Sequence, residues 1–291
     1  LGNLIGYVPK EKILDVIENI VVLQRDNGNR EDRKKARLKY TIDRLGLDWF
    51  VSEVEKNLNW KFENARPYRF ETNNDQFGWR QGEDNMWHYT LFVEGGRVID
   101  KEGKNLKTAL REIATIHEGD FRLTGNQDLV ITNVPDNKKS LVEKILRANN
   151  VSLNQYTGLR LSSIACAALP LCSLAFADAE RYLPSLVDKI DEIMIKNDLE
   201  KDAIVIRMTG CPNGCGRPFL GEIGLVGRSP GKYNLYLGAG FSGDRLNKLY
   251  KEMLDESQII SELTPMIEGY AKDRKANEKF GDFVIRKGYV S

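Results

Sequence analysis

Near the start of the chain, apolar residues recur every three to four positions, at Ile13, Leu14, Ile17, Ile20, Val21 and Leu23. This spacing predicts an amphipathic helix. Arg30 to Leu45 reads as a second helix, with Glu31 and Asp32 near its start and Gly46 beyond its end. Residues 1–69 are therefore expected to be mainly helical. Beyond them the pattern changes. Trp87 to Asp100 shows β-rich runs on either side of Gly95-Gly96, a hairpin signal. A helical stretch follows from Leu106 to His117, then strand–turn–strand from Gly119 to Thr132, then a helix from Lys138 to Asn149. The order β-β-α-β-β-α over residues 70–153 predicts an α+β unit.

Residues 154–291 form a third region. It carries an amphipathic helix over Ala179–Asn197, with Leu183, Val187, Ile190, Ile193 and Met194 on one face. A strand is expected over Ala203–Met208, glycine-punctuated strands over Ile223–Gly240, and a charged helix over Ser261–Lys279. The fold class is α+β.

The 43 basic and 42 acidic residues leave a net charge of +1, which argues against a general nucleic-acid binder. No run of about 18 apolar residues is present to span a membrane as a helix. Leu1 leads abruptly into an apolar pattern, so the chain reads as a piece of a longer polypeptide.

All four cysteines fall within fifty residues, Cys166 and Cys172 as C-x5-C and Cys211 and Cys215 as C-x3-C. A chain of 291 residues can bury its own core without disulfides, and no apolar signal segment opens it. Reduced cysteines point to a reducing, cytosol-like compartment. Structural zinc competes, but zinc sites usually bring a pair in as C-x2-C. Buried structural cysteines fit Cys166 within its apolar run but not Cys211 and Cys215 among glycines. The stretch Thr209 to Gly216 has no charged side chain. Gly210, Gly214 and Gly216 permit φ > 0 and a close backbone, whose N–H groups can donate to thiolates and sulfides. The spacing favours a [4Fe–4S] cluster, with zinc and a plain glycine turn left open.

Ala165–Pro184 (ACAALPLCSLAFADAERYLP) and Thr209–Gly227 (TGCPNGCGRPFLGEIGLVG) resemble the sirohaem and iron–sulfur sites of the sulfite and nitrite reductase family. The likeness is nearest the haemoprotein component of assimilatory, NADPH-dependent sulfite reductases. It extends over essentially the whole chain, including Gly224–Gly240 and Gln24–Gly46. It implies the C-terminal part of that fold, with a ferredoxin-like half-domain over 70–153. Residues 1–69 would then be the helical end of the central sirohaem-binding domain, and 154–291 the domain that holds the cluster and haem.

The resemblance implies six-electron reduction of sulfite to sulfide, in sulfur assimilation. Cys166, Cys172, Cys211 and Cys215 would hold the cluster, and Cys215 would also bridge to the sirohaem iron. Asn29, Arg30 and Arg33 would meet the sirohaem carboxylates, an expectation set against a solvated basic face running from Arg25 to Lys39. Arg122, Asn126 and Gln127 would approach the cofactor from a strand–turn position, with Arg228 and Lys232 flanking it. Electrons would come from NADPH through a flavoprotein partner carrying FAD and FMN, in the cytoplasm. Neither a nucleic acid nor a membrane is implied as a partner. The substrate-binding cations of the family lie mostly outside this chain. Two other readings remain: a sirohaem nitrite reductase, and a non-catalytic cluster or zinc module. His88 and His117 lie far from the cysteines in sequence and read as structural or surface residues.

Overall fold

The computed structural model describes residues 1–68, 70–151 and 156–291. The expected boundaries at 69 and 153 fall outside the described residues. The chain divides into two units, 1–69 and 70–291.

In the first unit, α1 (Ile13–Asn27), α2 (Leu38–Leu45) and α3 (Leu47–Leu58) close on a small core of Leu23, Phe50 and Val54. Tyr7 and Glu63 exchange backbone hydrogen bonds of 2.9 and 3.2 Å, tying the two ends of the unit together. Only part of the expected apolar face of α1 is used. Val16 and Leu23 are buried, whereas Leu14 and Val21 are 75% and 62% exposed. The helix carries two apolar stripes, and α3 covers the one formed by Ile20 and Leu23.

The expected helix from Arg30 does not form there. The side chain of Asn29 accepts the N–H groups of Glu31 and Asp32, both at 2.9 Å, and Asp32 accepts that of Lys34. Such local acceptors compete with helical hydrogen bonding. The chain makes a 3₁₀ turn at Arg33–Lys35 and turns α-helical only at Leu38.

The second unit begins with β1 (Gly78–Gln81), β2 (Trp87–Leu91), a short ribbon of β3 (Asp100–Lys101) and β4 (Lys104–Asn105), α4 (Leu106–Ile116), β5 (Phe121–Leu123), β6 (Leu129–Val134) and α5 (Lys139–Ala148). The antiparallel sheet runs β1-β2-β6-β5. It buries Leu91, Leu129, Ile131 and Val134 against Ala109, Ile113, Val142 and Leu146 of the two helices. The expected hairpin at Gly95-Gly96 is absent. These residues form a 3₁₀ turn with φ of 61° and 69°. Among the described residues of this region, hairpins join β1 to β2, β3 to β4 and β5 to β6.

Next come α6 (Gly158–Leu161), β7 (Ser163–Ala165), α7 (Leu183–Lys196), β8 (Ile206–Thr209), β9 (Ile223–Ser229), β10 (Lys232–Leu237), β11 (Lys248–Leu254), α8 (Glu256–Asp273) and α9 (Phe280–Arg286). The sheet order is β11-β10-β9-β8-β7, with β7, β8 and β9 parallel and the other pairs antiparallel. Ile206, Met208, Ile223, Leu225 and Leu235 pack with Ile190 and Met194 of α7 and Leu263 and Ile267 of α8.

α7 begins four residues later than its apolar pattern predicts, because the Glu180 N–H is bonded to the Cys166 carbonyl at 3.1 Å and belongs to the cysteine loop. α8 begins five residues earlier than expected. A reciprocal capping box sets its start, the Asp255 side chain accepting the Gln258 N–H and the Gln258 side chain the Asp255 N–H. β11 was not expected: as an edge strand it has five exposed residues of seven and no period-two apolar pattern to betray it.

Candidate metal centre

Cys166 follows the last residue of β7, and Cys211 stands two residues past the end of β8. These strands are parallel neighbours, with Ala165 opposite Met208. The chain therefore brings both cysteines to the same carboxyl-end edge of the sheet, where side chains from different loops can meet. The Cys166 N–H continues the ladder to the Met208 carbonyl at 3.2 Å. Its sulfur accepts the Gly210 N–H at 3.3 Å and lies 3.4 Å from the Thr209 hydroxyl.

The two cysteine loops are tied to each other. Phe176 and Ala177 donate their N–H groups to the Gly210 carbonyl at 2.8 and 3.1 Å, and Cys172 donates to Ala168 at 2.7 Å. A Cβ on Gly210 would stand 2.6 Å from both the Ala168 Cβ and the Ala177 carbonyl, and one on Gly216 only 2.2 Å from the Met208 carbonyl. Of the three glycines expected to need φ > 0, only Gly214 does, at 72°; the other two are required by close approach. Cys211 is buried, Cys166 and Cys172 half-buried, Cys215 exposed, and all four are free thiols.

Among the described residues, no three His, Cys, Asp or Glu side chains stand close enough to share one ion. A [4Fe–4S] cluster would need one thiolate for each of its four irons. Four free thiols, glycine backbone against the loops and an N–H already aimed at one sulfur fit such a cluster.

The half-domain supplies a second layer. Gln127 donates to the Ala165 carbonyl, next to Cys166, at 2.8 Å. Arg217, two residues past Cys215, donates to the Gly125 carbonyl at 3.0 Å and lies 3.5 Å from the Asn126 side chain. Asn126 also donates to Asp75 at 3.1 Å. Arg97 makes paired bonds of 2.8 and 2.6 Å to Glu180, which the cysteine loop presents. Beside them is a cavity of about 440 Å³ lined by Gly96, Arg97, Gln127, Ala167 and Glu180 among others.

Asn126 and Gln127 are thus brought to the cysteine loops. Arg122 is not: it is exposed on β5, with Asp120 at 3.6 Å. Lys232 pairs with Asp255 at the start of α8, and Arg228 is exposed at the end of β9. His88 accepts the Asn133 N–H at 3.3 Å within the half-domain, and the His117 ring packs edge-on against Phe121. Asn29, Arg30 and Arg33 belong to the first unit. Asn29 is half-buried in its turn, Arg30 donates to the Arg25 carbonyl at 3.0 Å, and Arg33 is exposed. A cavity of about 360 Å³ there is lined by Gln24, Arg25, Asn29 and Arg30 among others. Thr209, Glu180, Arg97, Arg217 and the buried Arg207 escaped the sequence reading. Only Arg207 left a signal, as a cation inside the apolar strand.

Asp128, at the end of the same half-domain turn, is 2% exposed and accepts the Val93 N–H at 2.9 Å. Burial, aided by the neighbouring Asp75, pushes its carboxyl up to about 8. The folded state therefore holds a proton that the unfolded chain releases near pH 4, and stability falls as pH rises from there to about 8. The slope from this group is at most about 1.4 kcal/mol per pH unit. Asp128→Asn mimics the protonated form. It is expected to flatten the decline, as measured by denaturant unfolding between pH 5 and about 8. An unchanged slope would refute the assignment.

Two family models match the chain: the nitrite and sulphite reductase 4Fe-4S domain over residues 2–62, and the nitrite/sulfite reductase ferredoxin-like half domain over residues 79–149. The chain belongs to the nitrite and sulphite reductase family. Within it, the chain is 56% identical over 291 residues to the sulfite reductase [NADPH] hemoprotein beta-component of Staphylococcus saprophyticus, and 55% identical to that of Anoxybacillus flavithermus. Each alignment covers 100% of this chain and 51% of the relative, so the chain spans about half the length of these proteins. The Mycobacterium tuberculosis NirA protein has the same fold, with a TM-score of 0.81 at 23% identity over 98% of this chain and 54% of that one. A dissimilatory sulfite reductase I is more distant, at a TM-score of 0.53 and 11% identity over 97% of this chain and 86% of that one. The cysteines lie outside both matched segments.

Proposed function

We propose that this chain serves the six-electron reduction of sulfite to sulfide, holding a [4Fe–4S] cluster on Cys166, Cys172, Cys211 and Cys215 and contributing to a sirohaem pocket. The observation that carries the reading is the convergence of the two cysteine loops at the ends of β7 and β8, in a chain related throughout to sulfite reductase hemoproteins. The [NADPH] in the relatives' name supports a flavoprotein partner carrying FAD and FMN as the electron source. Free thiols are consistent with a reducing, cytoplasmic setting. Among the described residues, no helix is long and apolar enough to cross a membrane.

Sulfite sulfur gains six electrons at one atom, and a cluster coupled to a haem, when bound, supplies them singly. The protein's part is to position and to balance charge. The Gly210 N–H steadies the Cys166 sulfur, and the loop of Asn126 and Gln127 braces the strand end behind it. Cys215, the exposed one of the four thiols, would be the residue that also holds the haem. Asn29, Arg30 and Arg33 would bond the haem carboxylates, guanidinium to carboxylate pairing being strong and directional.

A visible spectrum of the purified holoprotein, with iron, acid-labile sulfide and zinc content, tests the reading. A haem band with cluster iron and sulfide is expected, and turnover of sulfite against nitrite then decides the anion. Zinc in place of iron, or no metal, would overturn it.

A further inference from the structure

Arg207 lies on β8 and is 4% exposed, yet its Nε and Nη1 have no hydrogen-bond partner among the described residues. Strand alternation turns it away from Ile206 and Met208, which are in the core, and onto the face of Thr209, whose hydroxyl meets the Cys166 sulfur. The charged group that acts on it most directly is another cation, Arg217, just beyond Cys215. Burial, with Arg217 adding to it, pulls the guanidinium down to about 10, so it remains charged at neutral pH. Glu222 is committed elsewhere, accepting the Val205 and Gly281 N–H groups at 2.9 and 2.8 Å. The Asn247 side chain, whose Nδ2 lies against Gly224 opposite Arg207 in the strand register, leaves its Oδ1 unpaired. That oxygen could accept a hydrogen bond but brings no negative charge.

A buried, unpaired cation is costly unless an anion balances it. Gly216 packs on the Met208 carbonyl and beside the Cys166 N–H, which places the cysteine loops directly on the strand that carries Arg207. Four thiolates around a [4Fe–4S] core make a dianion, which becomes a trianion on one-electron reduction. We propose that Arg207 is the counter-charge of this cluster, a positioning residue that favours the reduced state and raises its reduction potential. The inference rests on the cluster reading above.

The test is a redox titration of the holoprotein with dithionite as the one-electron source, followed by electron paramagnetic resonance of the reduced cluster. Arg207→Met is expected to shift the reduced-to-oxidised ratio at a fixed potential about tenfold toward oxidised, about 59 mV for one electron. Arg207→Lys, which retains the charge, is expected to stay near the parent value. An unchanged midpoint in Arg207→Met at full iron and sulfide content overturns the proposal, as do equal shifts in both variants. Should Arg207→Met be recovered without iron, Arg207→Gln replaces it. If both neutral variants are empty and the lysine variant is filled, the charge is needed for assembly and the proposal stands. If all three are empty, it falls. A parent protein lacking iron and sulfide would refute the cluster reading itself, a separate failure.

Discussion

The Cys166→Ala protein is expected to be purified without cluster iron or acid-labile sulfide while keeping its secondary structure. Cys166 is the cysteine most firmly built into the fold. Its N–H extends the β7–β8 ladder, its carbonyl accepts the Glu180 N–H, and its sulfur accepts the Gly210 N–H. The backbone bonds do not depend on the side chain, so an alanine should leave the loops in place. What disappears is one of four thiolates, and Cys172, Cys211 and Cys215 cannot move round to replace it. Both flanks of the loop are anchored to Met208 and Gly210. Under the proposed function, loss of sulfite reduction would follow from loss of the cluster, so the informative readouts are metal and sulfide per chain with circular dichroism as the control for folding. A variant that retains full iron and sulfide would remove Cys166 from the ligand set.

Gly216→Ala should be nearly as damaging for a different reason. The added methyl would lie 2.2 Å from the Met208 carbonyl oxygen and 3.2 Å from the Cys166 nitrogen. Both are backbone atoms of the β7–β8 edge, so no side-chain rotation can relieve the clash. Overpacking of this kind costs about 1–3 kcal/mol, occasionally more, and at the top of that range a unit of this size loses about 6–12 °C in Tm. The strain falls between Cys166 and Cys215, so cluster occupancy should drop with stability. Gly231→Ala is a useful contrast. That glycine has open space around it, and its cost arises only from a φ of 66° in the turn between β9 and β10. A Gly216→Ala protein with parent Tm and parent iron content would show that the strand edge yields more easily than its close contacts imply.

How much was legible beforehand depended on the kind of signal. Strong apolar periodicity located α4, α5 and α7 to within a few residues, and alternating runs around the 124–127 turn located β5 and β6. The errors fell where a local side chain overruled the pattern. Asn29 and Asp32 captured the N–H groups of the expected second helix. Glycines 95 and 96 served the approach of Glu180 and Gln127 rather than a hairpin. Edge strand β11 buries one residue and so wrote almost no pattern.

The four cysteines proposed as cluster ligands, with their glycine-rich setting, could be named from the sequence, because a cluster demands particular atoms. Membership of the nitrite and sulphite reductase family could be read from the same residues. Only the tertiary structure decided why Gly210 and Gly216 must be glycine, that Asn126 and Gln127 reach the cysteine loops while Arg122 does not, and that Arg207 is a buried charge whose Nε and Nη1 have no partner among the described residues. These are facts about residues far apart in the chain that the β7–β8–β9 sheet and the half-domain packed on its cysteine loops bring together. Spacing along a sequence records which groups are present and what local structure they favour. Which of them share a dielectric environment, and which lack a counter-charge, is set by packing between strands.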